Sequence, residues 1–386
     1  GEENTINVKY IVPTPEDSSY YMWIIGTSVA SYEVDLVASK YSTLGTYELP
    51  LIDYTTANIQ YKTLHTLVLG CNNSGETIVA VESDAGGIVG LLDGYGIVEN
   101  CNNTANNVMA TGNGYYSHAG GIIGNSNLSD SLYDEAKVKN CTNTAKITGY
   151  SSGGIVGIAG SVIEISDCEN TGEISNISTG GSGIGKAGGI IADTSADKTV
   201  INSCKVDNAT IQGVDAGGCI GIYHCESVES EYCEVIDCTV TATDGHAAGF
   251  CAAPGAYYYA GGSMNQRSSV LVVQVDNFAL EGSGISGTKD VSGVIGPTTL
   301  HNPHRSGATI IVRNSKIGSD KDGNETSIIG TSTVVNNMNG TQHINGIVGQ
   351  IYTDYKQYAV TINGCELDGV TLEAKAEDAR LVGVSG

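Results

Sequence analysis

The sequence predicts an all-β chain, a right-handed parallel β-helix (β-solenoid) of about 8–10 coils with an N-terminal β cap. Three observations lead there. A glycine-rich pentad returns along the chain at coil-length intervals. A second frame, aliphatic residue, any residue, turn residue, cysteine, returns between the pentads. The intervening runs are short, β-branched and broken by Gly, Asn, Asp and Ser, with no helical stripe.

The pentads are Gly86-Gly87-Ile88-Val89-Gly90, Gly120-Gly121-Ile122-Ile123-Gly124, Gly153-Gly154-Ile155-Val156-Gly157, Gly188-Gly189-Ile190-Ile191-Ala192 and Gly217-Gly218-Cys219-Ile220-Gly221. Looser copies follow around Gly249, Gly293, Gly346 and Gly383. The second glycine advances by 34, 33, 35, 29, 31, 44, 53 and 37 residues, so the later coils carry insertions. Gly pairs would cost a helix about 1 kcal/mol per Gly. In a coiling strand they allow tight corners and close backbone packing. Coils stacked ~4.8 Å apart give a rod of roughly 40–50 Å.

The cysteine frame covers Cys71, Cys101, Cys141, Cys168, Cys204, Cys238 and Cys365, with Phe278 and Ser315 at the equivalent place in two further copies. One residue per repeat at a fixed place reads as an inward-facing column, where free Cys acts as a small hydrophobe. Metal binding is the weaker alternative, because close Cys pairs and nearby His are missing. Cys219, Cys225, Cys233 and Cys251 fall outside the column, and a Cys225–Cys233 loop disulfide stays open. Two residues after the column, the first four coils carry Asn73, Asn103, Asn143 and Asn170. Later coils carry Val206, Val240, Leu280, Ile317 and Leu367 there. The asparagines read as a turn ladder, and the cross-section is expected to change near residue 200.

Residues 1–66 lack the repeat and form the candidate cap; residues 67–386 form the β-helix domain. The chain stops on a partial copy. The array is therefore expected to continue beyond residue 386, or to have its last strand shielded. The chain also opens without Met or a leader, so any export signal is expected outside it.

Composition narrows the function. Hydrophobic residues make up 40% of the 386, enough for a folded core. With 42 acidic and 18 basic residues the net charge is −24. Nucleic acid and anionic membranes are disfavoured as partners, while neutral ligands and divalent cations are permitted. No apolar run is long enough for a transmembrane helix.

The pairing of Gly-Gly-Ile-Val-Gly with Asn-Cys-x-Asn-Thr-Gly/Ala-x-Ile, clearest between Cys71 and Ile191, resembles the GLUG-type repeat of bacterial surface proteins. That resemblance implies an exported, repetitive β-solenoid, secreted or on the cell surface, with adhesin-like relatives. It supplies no catalytic residues, and no His-Glu-x-x-His motif is present.

Tyrosine supplies the ligand-binding candidates. The chain holds 21 Tyr against 2 Phe and 1 Trp. Tyr115, Tyr116 and Tyr150 precede successive pentads, and Tyr257, Tyr258 and Tyr259 follow Gly249. Exposed Tyr rows suit sugar faces or a protein partner. The alternative is a carbohydrate-active β-helix enzyme, a polysaccharide lyase or glycoside hydrolase. Its candidates are the loop acids Asp193 and Asp197, and the segment His301-Asn302-Pro303-His304-Arg305. His224 and His246 stand isolated. A third class is a structural spacer. The expected role is non-catalytic: an adhesin or binding protein for a glycan or a host or cell-surface protein. No cofactor is implied, and structural calcium is left open.

Overall fold

A half-buried strand hides every second side chain, and a solenoid repeats that rule at each coil. The computed structural model describes residues 5–12, 31–38, 64–92, 95–112, 117–126, 135–160, 162–176, 185–223, 227–254, 271–299, 307–332, 342–352, 357–376 and 379–384. Among these the regular structure is β, and the chain forms a parallel β-helix of nine coils. One complete coil shows the plan. It runs through Glu135–Lys139, Thr142–Asn143, Lys146–Gly149, Ser151–Gly153 and Val156–Ala159. We call the sheets built from these five positions the first to the fifth.

Each strand pairs in parallel with its counterparts in the coils on either side. The first sheet is lengthened at its start by Thr5–Val12 and Ser31–Ala38, which pair with each other in parallel. Thr5–Val12 meets Leu64–Leu69 antiparallel, so the direction of pairing reverses at the first coil. Inside, like residues stack: Val98, Val138, Ile165 and Ile201 in the first sheet, and Val108, Ile147, Ile174, Ile211, Val240 and Ile285 in the third.

The corner between the first and second sheets explains the cysteine frame. Gly70, Asn100, Asn140, Asp167, Ser203, Tyr232, Asn277, Asn314 and Gly364 all hold φ between 49° and 65°. Gly, Asn and Asp tolerate this left-handed conformation best, which is why the frame favours them. The next residue turns inward. The resulting column is Cys71, Cys101, Cys141, Cys168, Cys204, Cys233, Phe278, Ser315 and Cys365, as the register of the second sheet requires. These thiols do more than fill space. Each donates to the carbonyl two residues back, as Cys101 to Glu99, Cys141 to Lys139 and Cys168 to Ser166, all at 3.2 Å. Ser315 does the same to Arg313 at 3.0 Å and also accepts the amide of Phe278. Cys and Ser substitute for each other because both satisfy the corner's backbone.

Cys238 is not in this column, contrary to the sequence frame. It belongs to a second one, at the corner before the third sheet: Ala209, Cys238, Ser283, Thr326 and Val370. This corner has its own left-handed residues, Asn208, Asp237, Gly282 and Gly369. Two corners five residues apart therefore present the same frame, and the one carrying Val235 at its start matched the pattern better. The slip also displaces a neighbour: Val235, not Val240, lies between Val206 and Leu280. Cys233 is a buried free thiol, and Cys225 lies outside the described residues.

The asparagine corner belongs to the first four coils. Asn73, Asn103 and Asn143 each donate through Nδ2 to the Oδ1 of the next asparagine, at 3.0, 2.8 and 2.8 Å, ending on Asn170. Each Oδ1 also accepts the amide two residues on, such as Gly75 and Gly172. The ladder thus closes a tight turn without a left-handed residue. From Val206 onward the apolar column replaces it and the second left-handed corner opens, so the cross-section changes where Asn208 first appears.

Close packing fixes the second glycine of each pentad. A Cβ on Gly87, Gly121, Gly154, Gly189, Gly218, Gly249, Gly293 or Gly346 would collide with the carbonyl of its counterpart in the next coil. The first position is less strict: Ala248, Ser292 and Asn345 take it in the later coils.

Two stability measurements check this packing. Gly154→Ala should lower stability by about 2 kcal/mol or more, the scale of an unrelieved overpacking. Gly284→Ala, whose new Cβ would find its nearest atom 3.6 Å away, should change little in the same chemical denaturation series. Tyr232 is 58% exposed and sits at φ 58°. Tyr232→Gly should therefore raise stability by about 1 kcal/mol by relieving left-handed strain; an unchanged midpoint would contradict the strain.

Candidate functional site

The fourth sheet ends each coil's approach to the glycine corner, and the fifth sheet leaves it. Two residues before the first pentad position, every coil places a polar or charged side chain: Asp84, His118, Ser151, Lys186, Asp215, His246, Asp290, His343 and Arg380. These positions alternate with the small inward residues of the same strands. They face the outer side chains of the fifth sheet across the bend, among them Asn125 and Asp193. The result is a polar seam running along the rod, largely buried in its middle.

Acids neighbour histidine, lysine or asparagine along it. His118 Nδ1 donates to Asp84 Oδ1 at 2.6 Å, and Asn125 Nδ2 donates to Asp84 Oδ2 at 2.7 Å. Lys186 pairs with Asp193, and both side chains are only 9% exposed. The amide of His246 donates to Asp215 Oδ1 at 2.8 Å. Asp290 has a fully buried side chain between two histidines. His343 gives it a backbone N–H at 2.8 Å and a ring Nδ1 contact at 3.2 Å. His246 Nδ1 accepts the Asp290 amide at 3.2 Å.

Burial pushes the carboxyls of Asp84 and Asp290 up. The hydrogen bonds from His118 and Asn125, and from His343 with His246 nearby, outweigh it, and both lie below the ordinary value of 3.8. Three buried thiols, at the two corners and in a pentad, behave differently. Burial raises Cys204 and Cys219 strongly and brings Cys238 to about 12, so these remain protonated and inert at neutral pH.

The other sequence candidates distribute as follows. Asp193 is on the seam, in Ile191–Thr194. Asp197 lies at the following corner, where its carbonyl accepts the amide of Ser227. Tyr150 is half-buried at the corner before the seam, its amide bonded to the carbonyl of Ser117. Tyr115, Tyr116, Tyr257, Tyr258, Tyr259, His224, His301, His304 and Arg305 lie outside the described residues. His246 is not isolated, because the register sets it between Asp215 and Asp290. Aligning the pentads and reading two places upstream would have found the whole seam. Among the described residues, no group of three or more His, Cys, Asp or Glu side chains is arranged to hold a metal ion.

A second surface contrasts with the seam. The outward row of the third sheet runs Thr148, Ser175, Gln212, Thr241 and Ser286 in register. Thr148 and Ser175 share a hydrogen bond at 3.1 Å, as do Thr241 and Ser286 at 3.2 Å. This stretch is free of charge in a chain of net charge −24.

The family model for the GLUG motif matches residues 82–109. That segment is one turn of the solenoid, from the end of one third-sheet strand to the middle of the next. It contains the Gly86-Gly87 corner, the column residue Cys101 and the ladder residue Asn103. The chain therefore carries a GLUG motif, and the motif is a structural coil. No curated protein and no solved structure matches the chain. No described helix is long and apolar enough to cross a membrane.

Acid should loosen the seam. A carboxyl whose folded pKa is depressed stabilises fully above its unfolded value, and loses that stabilisation as pH falls through the folded value. Stability should thus drop below pH 3.8, and Asp290→Asn should flatten that dependence while lowering stability at pH 7. Equal acid slopes in the two proteins would contradict the assignment.

Proposed function

We propose that this is a non-catalytic, exported bacterial surface protein that uses its long side as an adhesive or binding face for a glycan or a surface protein. The observation that carries the reading is the uncharged row of hydroxyl and amide side chains on the third sheet, from Thr148 to Ser286. A strongly acidic chain repels anions almost everywhere, so a charge-free strip on a rigid rod favours neutral, hydroxyl-rich partners. Regular stacking holds these groups on strands rather than loops, which lowers the ordering cost of binding. The GLUG motif supports an extracellular repeat protein, and the secreted or surface location is part of this proposal.

The seam bears on the enzymatic alternative. Its acids are engaged by His, Lys and Asn partners rather than gathered in an open groove. This arrangement supports cohesion within and between coils rather than a hydrolytic groove open to a polysaccharide.

A glycan-array screen of the chain, with and without calcium, tests the proposal. Binding to neutral glycans is expected, weakened at least tenfold by Gln212→Lys combined with Thr241→Lys, with no cleavage products after incubation. Product formation would overturn the non-catalytic reading. Binding untouched by the double variant would move the site off this face.

A further inference from the structure

Lys186 and Asp193 form a lysine pair unlike the others. Lys146–Glu173 and Lys198–Glu229 sit in water, with side chains 43–47% exposed, whereas Lys186 and Asp193 are both 9% exposed. The two residues project from strands on either side of the Gly188-Gly189 corner, Lys186–Gly188 and Ile191–Thr194. Backbone pairing to both neighbouring coils fixes each strand. Asp193 is stacked in register between Ile158 and Ile222, which are both buried. Lys186 is stacked in register between Ser151 and a second buried acid, Asp215.

These are the requirements for condensing an amine with an acid. Burial keeps bulk water away from the pair, which favours condensation over hydrolysis of the amide once formed. Rigid strands hold the two reacting groups in contact, which replaces a bimolecular encounter by an intramolecular one. A further carboxyl, Asp215, occupies the register position beside Lys186 in the following coil, where its Oδ1 accepts the His246 amide. We propose that Lys186 and Asp193 join spontaneously through an isopeptide bond, and that Asp215 assists the proton transfer.

The atoms balance as follows. Lys186 passes one ammonium proton to the Asp193 carboxylate, leaving an amine and a carboxylic acid. The Nζ lone pair adds to Cγ of Asp193. Asp215 takes a proton from the nitrogen and returns it to the departing hydroxyl. One water leaves, an amide forms, and nothing is oxidised or reduced. The bond locks the glycine corner of the fourth coil from the outside, where the seam crosses from one sheet to the next.

Intact mass spectrometry of the denatured full chain tests the proposal. The expected mass is one water below that of the sequence. Digestion within Ala187–Ala192 followed by tandem mass spectrometry should yield a branched peptide joining residues 186 and 193. Lys186→Ala and Asp193→Ala should each restore the full sequence mass. Asp215→Asn, with its fold checked by circular dichroism, should leave several-fold fewer linked chains just after refolding. A folded wild-type chain at the full sequence mass would overturn the proposal, whatever the variants do. So would a water loss that maps to Asp244-Gly245 or Asp322-Gly323 and is opened by hydroxylamine, since that is a succinimide.

Discussion

The fold depends on one close approach. At each glycine corner a backbone carbonyl of one coil lies where a side chain of the neighbouring coil would begin. Only glycine meets that condition, and meeting it lets the fourth and fifth sheets bend sharply toward each other. The bend sets the register of both sheets together. Register in turn decides which side chains stack, because a slip of one residue exchanges the inner and outer faces. The coil is thus specified at its tightest point, and the longer strands inherit their alignment from it.

The corners and columns follow from the same stacking. A corner leaves backbone groups that the ladder does not pair, and a small side chain that bonds back solves the problem in each coil. The thiols of Cys101, Cys141 and Cys168, the hydroxyls of Ser283 and Ser315, and the amides of Asn103 and Asn143 are three versions of that solution. Each also reaches the adjoining coil, as Asn103 does to Asn143 and Ser283 to the amide of Cys238. Cysteine suits a dry column because a protonated thiol costs little to bury.

Much of this was legible in the sequence. The pentads, the cysteine frame and the asparagines all recur at fixed offsets, and recurrence is what a stacked fold writes into a chain. Two things were less legible. The coil containing Cys233 and Cys238 turns twice within five residues, and both turns obey the same local rule. Sequence spacing therefore could not say which Cys follows which corner. The seam was hidden for a different reason. The seam positions mix Asp, His, Ser, Lys and Arg, so no single residue type marks them; what repeats is the complementarity between neighbours, which emerges only when the pentads are aligned coil on coil. Stacked acids and bases hold coils together, and they leave the charge-free row on the third sheet as the contrasting surface.

The central claim is that residues far apart in sequence are direct neighbours along one face. Engineered cross-linking across the third sheet tests it most directly. Thr241 and Ser286 are register partners on the outer face, and parallel neighbours fall within the Cα separation a disulfide spans. Thr241→Cys with Ser286→Cys should oxidise to an intrachain disulfide in the folded protein. Thr241→Cys with Gly287→Cys, one residue out of register and on the opposite face, should not. Equal yields from the two pairs, or none from the first, would contradict the register and with it the account of the corners, columns and seam.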